Sequence, residues 1–295
     1  MPSTEGNGIG AIHSLPAAVQ RDVHRRLSAL QRHLGETPHV PEHWWGKQMW
    51  VALTPSFAVY LAVGEAARHR LPMEERRLRW AAAQGIPTPE VLERTEDWLI
   101  TRRVRRDDQG GPPFVAAVSD VAARIARITA PPAEILGGGR LRRAPRRSVA
   151  VRLGRMAAGP VSVRAFLAAR HAVAAIPSDT LAHGDFIPSN LPFDRAAGVI
   201  HVVDWEMLGF APACTDLLTL WPHLLDSDDR AALLEAALVR ARDRRALGAV
   251  HRWLTVRAVA DLVTAPRKGR DAARVATLME RVREATTNAK AWGVG

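Results

Sequence analysis

The sequence predicts an α+β chain folded as two lobes, a small strand-rich one followed by a larger, mainly helical one. Three observations predict it. The 295 residues are length enough for two compact lobes or one large domain. In the first hundred residues short apolar runs set off by turn residues accompany helical stretches, whereas after Pro113 helical periodicity dominates. Between these regions Arg102 to Pro113 is polar and holds Gly110, Gly111 and two prolines, the composition of a connection. The expected boundaries are an N-terminal lobe over 1–101, a hinge over 102–113 and a C-terminal lobe over 114–295.

Residues 1–10 are polar and read as a tail. From Leu15 to Leu34 apolar residues recur at helical spacing (Val19, Val23, Leu27, Leu30, Leu34), and Gly35 supplies a stop. Gln48 to Leu53 and Phe57 to Val63, around Thr54-Pro55-Ser56, read as a β-hairpin. Met73 to Ala83 is a charged amphipathic helix closed by Gln84-Gly85, and Val91–Leu92 and Trp98–Val104 supply two further strands. A helix among strands is the make-up of a small α+β lobe. Beyond the connection, helices are expected over Val115–Ile128, Val161–Ala175, Asp228–Leu247, Ala249–Val263 and Arg270–Ala285, with an exposed Gly- and Arg-rich connection from Gly137 to Ser148.

Composition excludes several classes. Cys214 is the one cysteine, so neither an intramolecular disulfide nor a cysteine-based zinc site is possible. No run approaches the ~18 apolar residues that span a bilayer, and the first ten residues lack the basic start and apolar run of a secretory leader; a cytoplasmic protein with no membrane partner is expected. The net charge of +11 invites an anionic partner. The excess is spread along the chain, however, without a basic run interleaved with aromatics, so nucleic acid is not expected. Of the 11 histidines, the ten other than His183 form no recognisable metal-ligand spacing and read as structural or exposed.

Thr180-Leu-Ala-His-Gly-Asp-Phe-Ile-Pro-Ser-Asn is followed by Val199-Ile-His-Val-Val-Asp-Trp-Glu. Asp185 falls in a loop, Asn190 five residues on, and a short strand, a turn over Asp194–Gly198 and a second strand ending at Asp204 complete a hairpin. Such a hairpin brings Asn190 and Asp204 together beneath the loop of Asp185. Carboxylate and amide oxygens suit hard Mg²⁺, which also takes phosphate oxygens. A third group, a carboxylate placed to accept the proton of an attacking hydroxyl, completes what phosphoryl transfer requires.

With His-Gly-Asp, the Asn five residues beyond and Asp-Trp-Glu after an apolar strand, the chain resembles the aminoglycoside phosphotransferase family of small-molecule kinases. The resemblance implies a protein-kinase-like fold, ATP or GTP as phosphoryl donor and Mg²⁺. It implies Asp185 as catalytic base, Asn190 and Asp204 as metal ligands, His183 as a brace of the loop, and Asp216 as the buried aspartate that ties the loop down. It extends to Met73–Leu92, where Glu74 takes the place of the glutamate that orients the phosphate-binding lysine, and to Asp97–Val104, where backbone groups of Ile100 to Arg102 would meet the nucleotide base.

The chain departs from the family at the lysine itself, whose position in Val59-Tyr-Leu-Ala-Val-Gly is Ala62. Lys47, the nearest lysine, would supply the cation from the neighbouring strand; otherwise an arginine or nothing replaces it. Pro192 removes a donor after Asn190 and argues for an edge position. Residues 205–295 hold slightly more basic than acidic residues, so the expected substrate is a hydroxyl-bearing, antibiotic-like small molecule that need not be strongly cationic. Asp226-Ser-Asp-Asp, the one acidic cluster there, reads as a helix cap. The alternative function is a pseudokinase that binds nucleotide or a partner without turnover.

Overall fold

The computed structural model describes residues 17–40, 49–63, 68–137, 162–264 and 272–294. The chain divides into two compact units, residues 1–106 with 201–203 and residues 107–200 with 204–295.

The first unit is built on a four-stranded antiparallel sheet of β1 (Met49–Leu53), β2 (Phe57–Ala62), β3 (Val91–Arg94) and β4 (Trp98–Arg102), in the order β1-β2-β4-β3. Thr54 makes the first turn: its N–H donates to the Phe57 carbonyl and its hydroxyl accepts the Phe57 N–H, both at 2.9 Å. Side chains alternate across a sheet, and here Trp50, Ala52, Val59, Leu61 and Ile100 share a core with Val23 and Leu30 of helix α1 (Ala17–Leu34). The stripe expected from Val19 to Leu34 is thus the face α1 buries. Helix α2 (Leu71–Ala83) carries Pro72 in its first turn, where proline is tolerated, and is followed by Gly85, whose φ of +73° suits glycine.

In the second unit α3 (Pro112–Ala126) follows Gly111, whose N–H donates to Asp229 Oδ2 at 2.8 Å. Helix α4 (Val163–Val173) is capped by Ser162, which accepts the Ala165 N–H at 3.1 Å. Then come β5 (Thr180–Ala182), β6 (Phe193–Asp194), β7 (Val199–Ile200) and β8 (Gly209–Ala211); β5 pairs with β8 and β6 with β7, both antiparallel. Helices α5 (Thr215–Leu220), α6 (Ser227–Arg240), α7 (Arg244–Thr264) and α8 (Ala272–Ala291) complete it. Trp205, Trp221, Phe114, Phe186 and Phe193 are its largest fully buried side chains.

Two sequence expectations are corrected. The helix expected over Asp228–Leu247 breaks after Arg240, because Asp243 starts a new helix: its carboxylate accepts the Arg245 N–H at 2.8 Å and its carbonyl the Leu247 N–H at 3.0 Å. The strand expected to run to Asp204 ends at Ile200. Residues 201–203 leave β6, and the Val202 N–H donates instead to the Pro87 carbonyl of the first unit's own chain at 2.9 Å. Lys47, the tail over 1–10 and most of the Gly137–Ser148 connection lie outside the described residues.

Candidate active site

Two antiparallel chain segments build the site in the second unit. β5 delivers His183, Gly184 and Asp185, and β8 is entered from Asp204 through Leu208. The register Ala182↔Gly209, continued by two residues, sets Gly184 opposite Met207. Gly184 has φ +81°, and a Cβ there would lie 2.4 Å from the Met207 carbonyl oxygen. Only glycine lets the strands approach this closely. On the far side of the same segment Gly137 donates to the Leu208 carbonyl at 2.7 Å, and a Cβ on it would meet the Glu206 carbonyl oxygen at 1.9 Å.

His183 is fully buried, edge-on to Trp205 with ring centres 4.8 Å apart and to Phe186 at 5.9 Å. Its Nδ1 accepts the Asp185 N–H at 3.3 Å, which leaves the ring proton on Nε2. Asp216, at the start of α5, is 5% exposed; its two carboxylate oxygens accept the N–H of His183 at 2.8 Å and of Gly184 at 3.0 Å. A buried carboxylate is stable only with such partners, so Asp216 and the loop backbone fix each other.

Half-buried Asp185 and buried Asn190 meet directly. The Asn190 amide nitrogen donates to the Asp185 carbonyl at 2.9 Å and to its Oδ2 at 3.0 Å. Both partners are acceptors, so the amide must present its nitrogen there, and Oδ1 is turned to the other side, with the Ser189 hydroxyl at 3.4 Å. Asp204 immediately precedes Trp205 and is left-handed, with φ 62° and ψ 63°. A non-glycine residue held there stores about 1 kcal/mol or more of strain, and such positions cluster at functional sites. Asn190 Oδ1 and the Asp204 carboxylate are hard oxygen donors of the kind Mg²⁺ takes. Among the described residues no group of three or more His, Cys, Asp and Glu is placed to hold a metal ion; Mg²⁺ is commonly held by one or two carboxylates together with waters and phosphate oxygens.

One supporting residue was not foreseen. Gln109, in the stretch read as a linker, donates its amide nitrogen to the carbonyls of Pro188 at 2.7 Å and Leu191 at 2.6 Å, clamping the turn that carries Asn190 from both sides. The linker is anchored in turn by Arg195, whose guanidinium donates to the carbonyls of Asp108 and Gly110 at 3.0 and 3.1 Å. No local pattern marks these residues, since the contacts span about eighty positions of chain.

The remaining expected residues belong to the first unit. Glu74 lies with Leu71, Leu78 and Ala81 on the buried face of α2, 3% exposed. Ala62 is fully buried, and its N–H donates to the Asp97 carbonyl at 2.9 Å. Ile100 to Arg102, whose backbone the resemblance sets against the nucleotide base, end β4. They lie on an interior strand, Ile100 paired with Val59 on one side and Glu93 on the other, while the Arg102 N–H donates to the Glu90 carbonyl at 2.9 Å. The Arg102 side chain pairs with Glu90 at 2.8 Å. Two members of the acidic cluster cap and anchor: Asp226 accepts the N–H groups of Asp228 and Asp229, and Asp229 holds Gly111.

Comparison with known proteins follows the same lines. The profile of the phosphotransferase enzyme family matches residues 56–254. No curated protein matches the sequence. Among solved structures, a choline/ethanolamine kinase family protein from Mesorhizobium loti superposes with a TM-score of 0.59 at 16% identity, covering 92% of this chain and 94% of that one. An aminoglycoside phosphotransferase in a ternary complex with streptomycin and ATP gives 0.54 at 12% identity, covering 92% and 99%. A macrolide 2'-phosphotransferase from Brachybacterium faecium gives 0.53 at 15% identity, covering 92% and 98%. At these identities the likeness is one of fold, and it is the kinase-like α+β fold of these enzymes.

Proposed function

The chain belongs to the phosphotransferase enzyme family, and we propose that it is a small-molecule kinase that moves the γ-phosphoryl of ATP or GTP, with Mg²⁺, onto a hydroxyl of an antibiotic-like substrate in the cytoplasm. The observation that carries this reading is the Asp185–Asn190 contact, set on a loop that Asp216 and Gln109 hold from two sides. In it Asp185 orients the substrate hydroxyl and accepts its proton. The bond from Asn190 keeps one oxygen of Asp185 fixed while the reacting proton is taken up. His183 and Asp216 keep the loop backbone from yielding, so little reorganisation accompanies the transfer. Asn190 and Asp204 would hold Mg²⁺ together with phosphate oxygens, and the ion would neutralise charge on the transferring group. In the first unit Glu74 would orient the phosphate-binding cation, with Lys47 as that cation.

Support for the substrate class comes from the structural neighbours and from the roles the acidic cluster already fills. The structural neighbours include aminoglycoside and macrolide phosphotransferases. In the one acidic cluster of the helical region, Asp226 caps α6 and Asp229 holds Gly111. A hydroxyl-bearing substrate of low positive charge is therefore the reading. Ala62 favours a second one, a pseudokinase, because a buried methyl stands where the family places its lysine.

The test is transfer of labelled γ-phosphoryl from Mg·ATP and Mg·GTP to a panel of aminoglycosides, macrolides and amino alcohols. Asp204→Ala should abolish turnover of whichever acceptor reacts, while Asp226→Ala should leave it nearly unchanged. The reverse ranking refutes the site, and failure of every acceptor with retained nucleotide binding favours the pseudokinase.

A further inference from the structure

The turn that carries Asn190 is short of backbone donors. Pro188 opens it and Pro192 follows it, and neither has an N–H. Asn190 and Leu191 use theirs inside the turn, on the carbonyls of Ile187 at 2.9 Å and Pro188 at 3.2 Å. Leu191 is fully buried and Asn190 only 7% exposed, and backbone carbonyls in such a place need donors from elsewhere in the protein.

Gln109 is that donor. Its amide nitrogen bridges the carbonyls of Pro188 and Leu191, which bracket Ser189 and Asn190. The backbone around Gln109 is itself held. Arg195 donates to the carbonyls of its two neighbours, Asp108 and Gly110. The Asp107 N–H donates to the Phe193 carbonyl at 2.9 Å, and the Asp107 carboxylate accepts the Arg195 N–H at 2.8 Å. On the other side Asp229 accepts the Gly111 N–H. The clamp therefore springs from a backbone fixed before and after it.

What the clamp controls is the direction of the Asn190 amide. Its nitrogen is committed to the Asp185 carbonyl and Oδ2, so the position of the turn decides where Oδ1 lies. On the kinase reading above, we propose that Gln109 is a positioning residue of the phosphoryl-transfer site. It supplies the donors that the two prolines withhold, and so keeps Asn190 Oδ1 where it takes Mg²⁺. Gln109 touches neither the ion nor the reacting atoms and acts only through Asn190. Residues that orient a metal ligand in this way commonly change metal affinity by ~10–100-fold when replaced.

The test compares Gln109→Ala with Gln109→Glu in the full chain. The alanine variant deletes both hydrogen bonds, and the glutamate variant keeps the shape but turns acceptors toward both carbonyls. Affinity for ATP and GTP is measured by calorimetry, once with excess Mg²⁺ and once with EDTA. In both variants the gain in affinity that Mg²⁺ brings should fall about tenfold, with metal-free affinity unchanged. Ser162→Ala, which removes the cap of α4, should keep the native gain, so a general loss of stability does not imitate the effect. In the unliganded chain, hydrogen exchange at the Asn190 and Leu191 amides should quicken in both Gln109 variants. The His183 and Gly184 amides, held by Asp216, should keep their native rates. An undiminished Mg²⁺ gain in the variants, or unchanged exchange at Asn190, overturns the role of Gln109 and leaves the kinase reading standing. No Mg²⁺-dependent nucleotide binding by the native chain overturns both together. Gln109→Ala carries the test alone if Gln109→Glu fails to fold.

Discussion

Gly184 shows how much one backbone position decides. With φ +81° and the Met207 carbonyl oxygen 2.4 Å from where a Cβ would sit, Gly184→Ala should cost roughly 2 kcal/mol or more and remove activity. Thermal melting and turnover check this together; an active variant of unchanged stability would contradict the close approach. His251 makes a different kind of prediction. It is fully buried against Trp221, with ring centres 4.4 Å apart, and neither ring nitrogen has a partner among the described residues. Burial depresses its pKa from 6.5 to about 3. The unfolded chain therefore takes up a proton at His251 below pH 6.5 that the folded chain refuses until about pH 3. Stability is full above that window and falls through it by up to ~1.4 kcal/mol per pH unit. In denaturant titrations His251→Leu should flatten the loss between pH 6.5 and 4; an unchanged slope would assign acid sensitivity elsewhere. Asp185, Asn190 and Asp204 stand out in the sequence by their spacing, and Asp216 by the family resemblance, and the structure ties Asp185 to Asn190 and Asp216 to the loop backbone. Gln109 and His251 do not stand out, since what they do depends on partners far along the chain.

At the scale of elements, helix ends decide where the chain turns. Asp226 caps α6 by accepting the N–H groups of Asp228 at 2.7 Å and Asp229 at 3.1 Å. Asp226→Ala should lower stability by ~1 kcal/mol, a fall in Tm of ~2–4 °C, with turnover retained. Lost turnover at unchanged Tm would instead place Asp226 in the substrate site. Most elements were legible from pattern: the β1–β2 hairpin from its turn residues, α1 from its apolar stripe, α2 from its periodicity and Gly85. The break between α6 and α7 was hidden because Arg240-Ala-Arg-Asp continues a helical pattern, and only the capping bond from Asp243 to Arg245 reveals it. The early end of β7 was hidden for a related reason. His201-Val-Val is strand-like in composition, but Val202 finds its hydrogen-bond partner at Pro87 rather than in the hairpin, and Asp204 is then turned to left-handed φ.

At the scale of the whole molecule, the α+β character and the family were readable because a nucleotide-handling loop needs few residues in strict order. Substrate identity was not, because it depends on surfaces assembled from distant segments. The number of arginines is a poor guide to partners: Arg26, Arg79, Arg94, Arg102 and Arg257 are each held by carboxylates of the protein itself. The proposed function requires a working Mg-nucleotide site although Ala62 stands where the resemblance places the lysine. Its most direct measurement is the melting shift of the native chain, Asp204→Ala and Lys47→Ala with Mg·ATP and Mg·GTP, which needs no knowledge of the acceptor. At ~100 times the dissociation constant a bound nucleotide stabilises the fold by about 2.7 kcal/mol. The account predicts a clear upward shift for the native chain with at least one nucleotide, lost in Asp204→Ala and weakened in Lys47→Ala. No shift of the native chain with either nucleotide would contradict it.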